Sequence, residues 1–261
     1  MVESKLRGLA LVVMAMGGAT LVAGCATDTE EEEVAETKSE IIGGAIDYGH
    51  PAVGMLQFAV DGNDGASCTA TLVAPKLLLT AAHCVVGANG EKLSNYRISF
   101  ATRPKDGPFY KGTATIAHPG YDPKVFGTND VAVVVLESAP PITPMPVQKT
   151  ALGNVVGKAL THVGTGTTQS GGVNYKFGAG DAKKKVTLLI NEQAGETLRT
   201  GETWRSGGIC NGDSGGPAIM PINGVETVVA VHSYVDDASF CLNHGFSART
   251  DLNMEFLSRY L

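Results

Sequence analysis

Cys210-Asn211-Gly212-Asp213-Ser214-Gly215-Gly216-Pro217 is the stretch around which the rest of the chain is organised. A serine set between an aspartate and two glycines leaves the backbone open to a substrate carbonyl that bulkier side chains would hold away. That favours a nucleophilic serine with its own oxyanion-stabilising donors, the N–H groups of Gly212 and Ser214. A serine hydroxyl also needs a base during attack, and neutral imidazole, with an ordinary pKa of about 6.5, suits that task.

Three further segments precede it: Ile41-Ile42-Gly43-Gly44, Thr80-Ala81-Ala82-His83-Cys84 and Asn129-Asp130-Val131-Ala132-Val133. With Gly212-Asp213-Ser214-Gly215-Gly216-Pro217 they resemble, in order, the mature N-terminus, histidine, aspartate and nucleophile segments of the trypsin/chymotrypsin-like serine proteases, over residues 41–261. The chain order His, Asp, Ser separates this pattern from subtilisins and α/β-hydrolases. The resemblance implies an all-β fold of two antiparallel six-stranded β-barrels with a C-terminal helix. It also implies a serine endopeptidase working through an acyl-enzyme, with His83 as base, Asp130 as the carboxylate that orients it and Ser214 as nucleophile. Asp122 is the alternative carboxylate, but it sits in a Pro- and Gly-rich loop, whereas Asp130 opens an apolar strand. Relatives that lose a triad residue survive as non-catalytic binding modules; all three residues are present here.

The 261 residues suffice for a two-barrel unit with a buried core, and 33 glycines with only 18% charged residues suit a turn-rich β protein. Residues 1–40 hold eight acids against three bases, so the remainder, with 18 acids against 17 bases, is nearly neutral and offers no nucleic-acid footprint. Protein or peptide substrates and a monomer are expected, with no cofactor and no catalytic metal.

Lys5 and Arg7 precede an apolar run from Leu9 to Ala23, too short for a membrane span, so residues 1–24 read as a signal peptide. Leu21-Val22-Ala23-Gly24-Cys25 resembles the lipobox of bacterial lipoproteins, which implies lipid on Cys25, membrane attachment and a bacterial cell-envelope location. Residues 25–40 carry Glu30-Glu31-Glu32-Glu33 and no aromatic residue, a composition that makes a flexible acidic tether.

From Ile41 onward, strands are expected at 53–60, 68–73, 76–80, 96–101, 131–136, 184–190 and 225–232. A helix is expected from Asp251 to Tyr260, capped by Thr250 and packed through Leu252, Phe256 and Leu257. Gly164-Thr165-Gly166 lacks the lysine of a phosphate loop and reads as a barrel connection.

The resemblance pairs Cys68 with Cys84 and Cys210 with Cys241, bonds that need an oxidising compartment. It lacks cysteines for the family's third common disulfide, which leaves 191–206 without a covalent brace. It also implies activation: cleavage between Glu40 and Ile41 frees an ammonium that pairs with Asp213, and releases the protease from its lipid. The specificity pocket comprises Gly208, His232, Ser233, Val235 and Gly245. Gly208 occupies the floor where trypsins carry an aspartate, and Val235 stands where glycine is usual, which disfavours Lys or Arg. Two specificities remain. One is for small or aliphatic residues; the other is for glutamate, because bacterial glutamate-specific endopeptidases carry a histidine at the position of His232. Ile209 and Val235, which donate no side-chain hydrogen bond, weigh against glutamate. Tyr234 replaces the usual tryptophan.

Overall fold

Short β-branched and leucine-rich runs separated by tight turns build the molecule. The computed structural model describes residues 41, 44–87, 91–125, 127–166, 180–201, 208–236, 241 and 244–261. The expectations for residues 1–40, including Cys25 and Glu40, and for Ile42 and Gly43 lie outside them.

A short strand β1 (Ala45–Ile46) leads into β2 (Val53–Val60), β3 (Asn63–Ala74), β4 (Leu77–Thr80), β5 (Leu93–Ser99), β6 (Tyr110–Ala117) and β7 (Ala132–Leu136). Strands β2 to β7 close an antiparallel barrel in the order β2-β3-β4-β7-β6-β5, with β5 returning to β2. Its centre is filled by Leu56, Leu72, Leu78, Ile98 and Val133, all fully buried. Full burial of each such side chain is worth about 1.5–3 kcal/mol. Asp61-Gly62, both at positive φ, makes the two-residue turn whose twist suits the β2–β3 hairpin.

The second half supplies β8 (Ala159–Gly164), β9 (Lys184–Ala194), β10 (Thr197–Thr200), β11 (Pro217–Ile222), β12 (Val225–Val235) and β13 (Gly245–Arg249). They run β9-β10-β13-β12-β11-β8, and β8 pairs back to β9, closing a second six-stranded antiparallel barrel; β1 adds to the edge of β9. Leu160, Ile190, Leu198 and Val229 fill it. Asn223-Gly224, again at positive φ, turns β11 into β12.

The two barrels are braced by a buried lysine. Lys183, 1% exposed, donates to the carbonyls of His50 at 2.7 Å and Val53 at 3.0 Å, and its own N–H donates to Thr102 O. Burial pulls its pKa down to about 8 against the opposing attraction of Asp47.

Three sequence expectations need correction. The C-terminal helix is a 3-10 turn, Asp251–Asn253, followed by a single α turn, α1 (Met254–Leu257), with hydrogen-bonded turns to the end of the chain. Thr250 does not cap it, because its hydroxyl donates to carbonyls of Gln148 and Val229, each at 3.1 Å. Leu252 is 52% exposed, so only Phe256 and Leu257 pack inward. Of residues 191–206, expected without a covalent brace, 191–200 lie in the β9–β10 hairpin and are held by strand pairing.

Candidate active site

Strand β4 is buried along its whole length and delivers the chain to a 3-10 turn, Ala82–Cys84, that carries His83 at the junction of the barrels. Asp130 arrives from the other side. Asn129, at φ 53°, bends the chain just before β7, a conformation Asn tolerates better than most residues, and its amide N–H is held by Glu196 Oε2 at 2.8 Å.

The Asp130 carboxylate is 3% exposed and accepts three hydrogen bonds: His83 N–H at 3.0 Å, His83 Nδ1–H at 2.8 Å and the Ser233 hydroxyl at 2.5 Å. Burial alone would raise its pKa. The charge of His83 and these bonds outweigh burial, so the carboxyl lies below its usual range and stays ionised. An ionised carboxylate only accepts, so Nδ1 carries the proton and Nε2 is left as the basic nitrogen. Burial lowers the pKa of His83, but the Asp130 charge and hydrogen bond more than reverse this, for a net rise. Asp122 stays apart, accepting the N–H of Lys124 within its own exposed turn.

Ser214 reaches the same place by two routes. Its carbonyl accepts Thr69 N–H at 2.8 Å, next to Cys68, which is disulfide-bonded to Cys84, the neighbour of His83. A ring nitrogen of His83 and both sulfurs lie within 4.8 Å of one another. Gly215, at φ 80°, is packed so tightly on Thr69, Thr80 and Ala81 that a Cβ there would overlap the Thr80 hydroxyl. Both Gly212 and Gly215 adopt positive φ, and between them the N–H groups divide. Asp213 N–H donates to Cys210 O and Gly216 N–H to Asp213 O, whereas those of Gly212 and Ser214 donate to no group among the described residues.

Asp213 is fully buried, its carboxylate accepting Gly166 N–H and Cys210 N–H, each at 2.8 Å. The Gly164-Thr165-Gly166 connection is therefore part of the site, which its sequence did not reveal: a Cβ on Gly164 would overlap the Asp213 carboxylate, and one on Gly166 would lie 2.6 Å from Asn211 O. The usable signal was two glycines flanking a residue whose partner, Thr69, is 96 positions away. Gly164→Ala should overpack this contact, costing about 1–3 kcal/mol and lowering activity. Thermal unfolding and peptidase assays on the variant measure both.

Cys210 and Cys241 form the second disulfide. Val235 and Gly245 are cross-strand partners, and Ile209, 4% exposed, packs so closely on Gly245 that a Cβ there would be 2.6 Å from Ile209 Cγ1. Gly208 is buried and brings no charge. Ser233 turns its hydroxyl to Asp130, and Tyr234 stacks on Phe246 at 4.4 Å. His232 is fully buried, with both ring nitrogens engaged inside the protein.

Two closed β-barrels meeting at a buried carboxylate that holds a half-buried imidazole, beside a glycine-flanked serine, define a serine endopeptidase, a hydrolase of protein or peptide substrates. The family model described as Trypsin matches residues 41–252, and the chain belongs to that family. It is 30% identical over 165 residues to a Trypsin from Saccharopolyspora erythraea, covering 59% of this chain and 70% of that protein. It is 32% identical over 168 residues to Brachyurin from Leptuca pugilator, covering 58% and 69%, and 26% identical over 208 residues to Granzyme M from Homo sapiens, covering 69% and 74%. The disulfides fit an oxidising, extracellular setting.

Proposed function

We propose that the chain is a serine endopeptidase activated by cleavage before Ile41, in which His83 Nε2 takes the Ser214 proton, Asp130 holds the imidazole, and the N–H groups of Gly212 and Ser214 bind the oxyanion. The observation that carries this is the Asp130 carboxylate, whose three bonds leave His83 Nε2 as the one basic nitrogen of the pair. Attack on the scissile carbonyl forms a C–O bond to Ser214. His83 passes the acquired proton to the leaving amine, and water repeats the sequence to release the acid.

Activation is supported by burial at both ends of the proposed contact, since Ile41 and Asp213 are each fully enclosed. Cutting after Glu40 would add an ammonium at Ile41 for that carboxylate. Breaking such a buried ion pair costs about 3–5 kcal/mol. The processed chain should label at Ser214 with an organophosphate probe, and the uncut precursor should not. Equal labelling of both would reject the activation step, and a processed chain that fails to label would favour a binding module. In the full chain, the signal at 1–24 would direct export, and lipid on Cys25 would then hold the precursor at a membrane through the 25–40 tether until that cut.

For specificity, the hydrogen-bond inventory favours small or aliphatic residues over glutamate. The two polar side chains assigned to the pocket have no proton to offer a substrate carboxylate: the Ser233 hydroxyl is on Asp130 and both His232 nitrogens are bonded internally. Among the described residues assigned to the pocket or beside it, the surfaces left are those of Gly208, Ile209, Val235 and Gly245. A peptide panel varied only at the residue before the cut should give kcat/KM in the order Ala or Val, then Glu, with Arg low. Glu ranking first would overturn it.

A further inference from the structure

Behind the nucleophile segment, three buried side chains form one chain of hydrogen bonds. Thr200 Oγ1 lies 3.1 Å from His162 Nε2, His162 Nδ1 lies 3.0 Å from His232 Nε2, and His232 Nδ1 lies 3.1 Å from the carbonyl of Asp213. Thr200 is 1% exposed and both histidines are fully buried.

The chemistry of the last acceptor fixes every proton. A carbonyl only accepts, so His232 carries hydrogen on Nδ1 and presents a lone pair at Nε2. His162 must then donate from Nδ1, and its own Nε2 accepts the Thr200 hydroxyl. Each ring is neutral and has both nitrogens satisfied. Burial supports neutrality: it pulls His232 down to about 4 despite the carbonyls of Asp213 and Pro217, and His162, beside His232, well below the ordinary value.

What this relay holds is the peptide plane between Asp213 and Ser214. Its carbonyl accepts from Gly216 N–H at 2.9 Å as well as from His232, so both lone pairs are used. In a trans peptide the C=O and N–H point in opposite directions across a rigid plane, and the described residues contain no cis bond. Anchoring the Asp213 carbonyl inward therefore aims the Ser214 N–H outward, toward the position a substrate oxyanion would occupy. The rest of the backbone supports the same placement, with Gly215 N–H donating to His232 O and His232 N–H to Gly216 O, each at 2.8 Å.

We propose that His232 is a positioning residue for the oxyanion hole, holding the Asp213–Ser214 peptide through its Nδ1–H, with His162 and Thr200 setting its tautomer. This rests on the assignment of Ser214 and its N–H to catalysis, and it takes His232 away from substrate recognition. Loss of alignment at one oxyanion donor is felt in kcat rather than in ground-state binding.

The test uses the full chain processed at Ile41. His232→Val removes the donor, and His232→Asn keeps an N–H near the same position. For peptides ending in Ala or in Glu, kcat and KM are measured alongside inhibition by a peptide boronate, which forms a tetrahedral adduct on the serine. His232→Val should lose about 10- to 100-fold in kcat on both peptides with KM within a few-fold, and boronate affinity should fall in step. His232→Asn should recover most of the loss. Should His232→Val fail to fold, His162→Val, which removes only the tautomer lock, should show a smaller drop of the same kind. Unchanged kcat in the variant that folds, a defect confined to the Glu peptide, or an Asn variant as impaired as Val would each overturn the proposal. Wild-type enzyme that neither turns over peptide nor reacts with an organophosphate would instead reject the catalytic assignment on which it rests.

Discussion

Ser214→Ala in the processed chain is expected to lose about 10⁶-fold in kcat, the largest single effect available in this molecule. Without the hydroxyl no acyl-enzyme can form. On the proposed assignment the Gly212 and Ser214 N–H groups and the pocket remain to bind peptide and polarise its carbonyl, so a residual rate about 10³–10⁴-fold above water should persist. The fold should be undisturbed, since residue 214 is tied to its surroundings through its backbone carbonyl, which accepts Thr69 N–H. Steady-state assays with unfolding curves check both halves. Wild-type turnover by the variant would place the nucleophile elsewhere.

Asp130→Asn should follow, with a drop of about 10⁴-fold near neutral pH and little change in structure. An amide in place of the carboxylate can donate to His83 Nδ1, so the ring can settle with its proton on Nε2, the nitrogen meant to act as base. The pH profile carries a second signature. In the proposed mechanism His83 works only when neutral; burial lowers its pKa, and the Asp130 charge and hydrogen bond raise it by more. Wild-type kcat/KM should therefore rise with pH through a limb above the ordinary histidine value. In Asp130→Asn the raising influence is gone and burial remains, so the limb should move to lower pH. A limb that stays in place would mean that another group sets it.

Much of the scaffold can be read along the chain because its strands are locally continuous. Val53–Val60 is predicted to the residue, and β4, β7 and β12 are recovered within a few positions. Strands such as β6 (Tyr-Lys-Gly-Thr-Ala-Thr-Ile-Ala) and β10 (Thr-Leu-Arg-Thr) escape, because much of β6 faces solvent and both exist through pairing with neighbours. The C-terminal helix is overestimated for the converse reason. Its apolar spacing suits a long helix, but Thr250 satisfies distant carbonyls instead of capping, and only one α turn forms. Lys183, first of three consecutive lysines, carries no mark of burial, yet it is 1% exposed because three carbonyls face its ammonium.

What the order of residues determined by itself is the chemistry to be assembled: an imidazole, a carboxylate and a glycine-flanked serine in the sequence of one protease family, with cysteines to brace them. These are matters of residue type and of local backbone conformation, which a linear pattern preserves. Only the tertiary structure decided which nitrogen of His83 is basic, that Ser233 serves Asp130, and that His232 faces a carbonyl and a second histidine. Ser233 and Asp130 are 103 positions apart and His162 and His232 are 70 apart. A hydrogen bond's partner, and with it the proton's place, is set by where barrel closure brings atoms within 3 Å or so of each other, a non-local outcome that spacing along the chain does not encode.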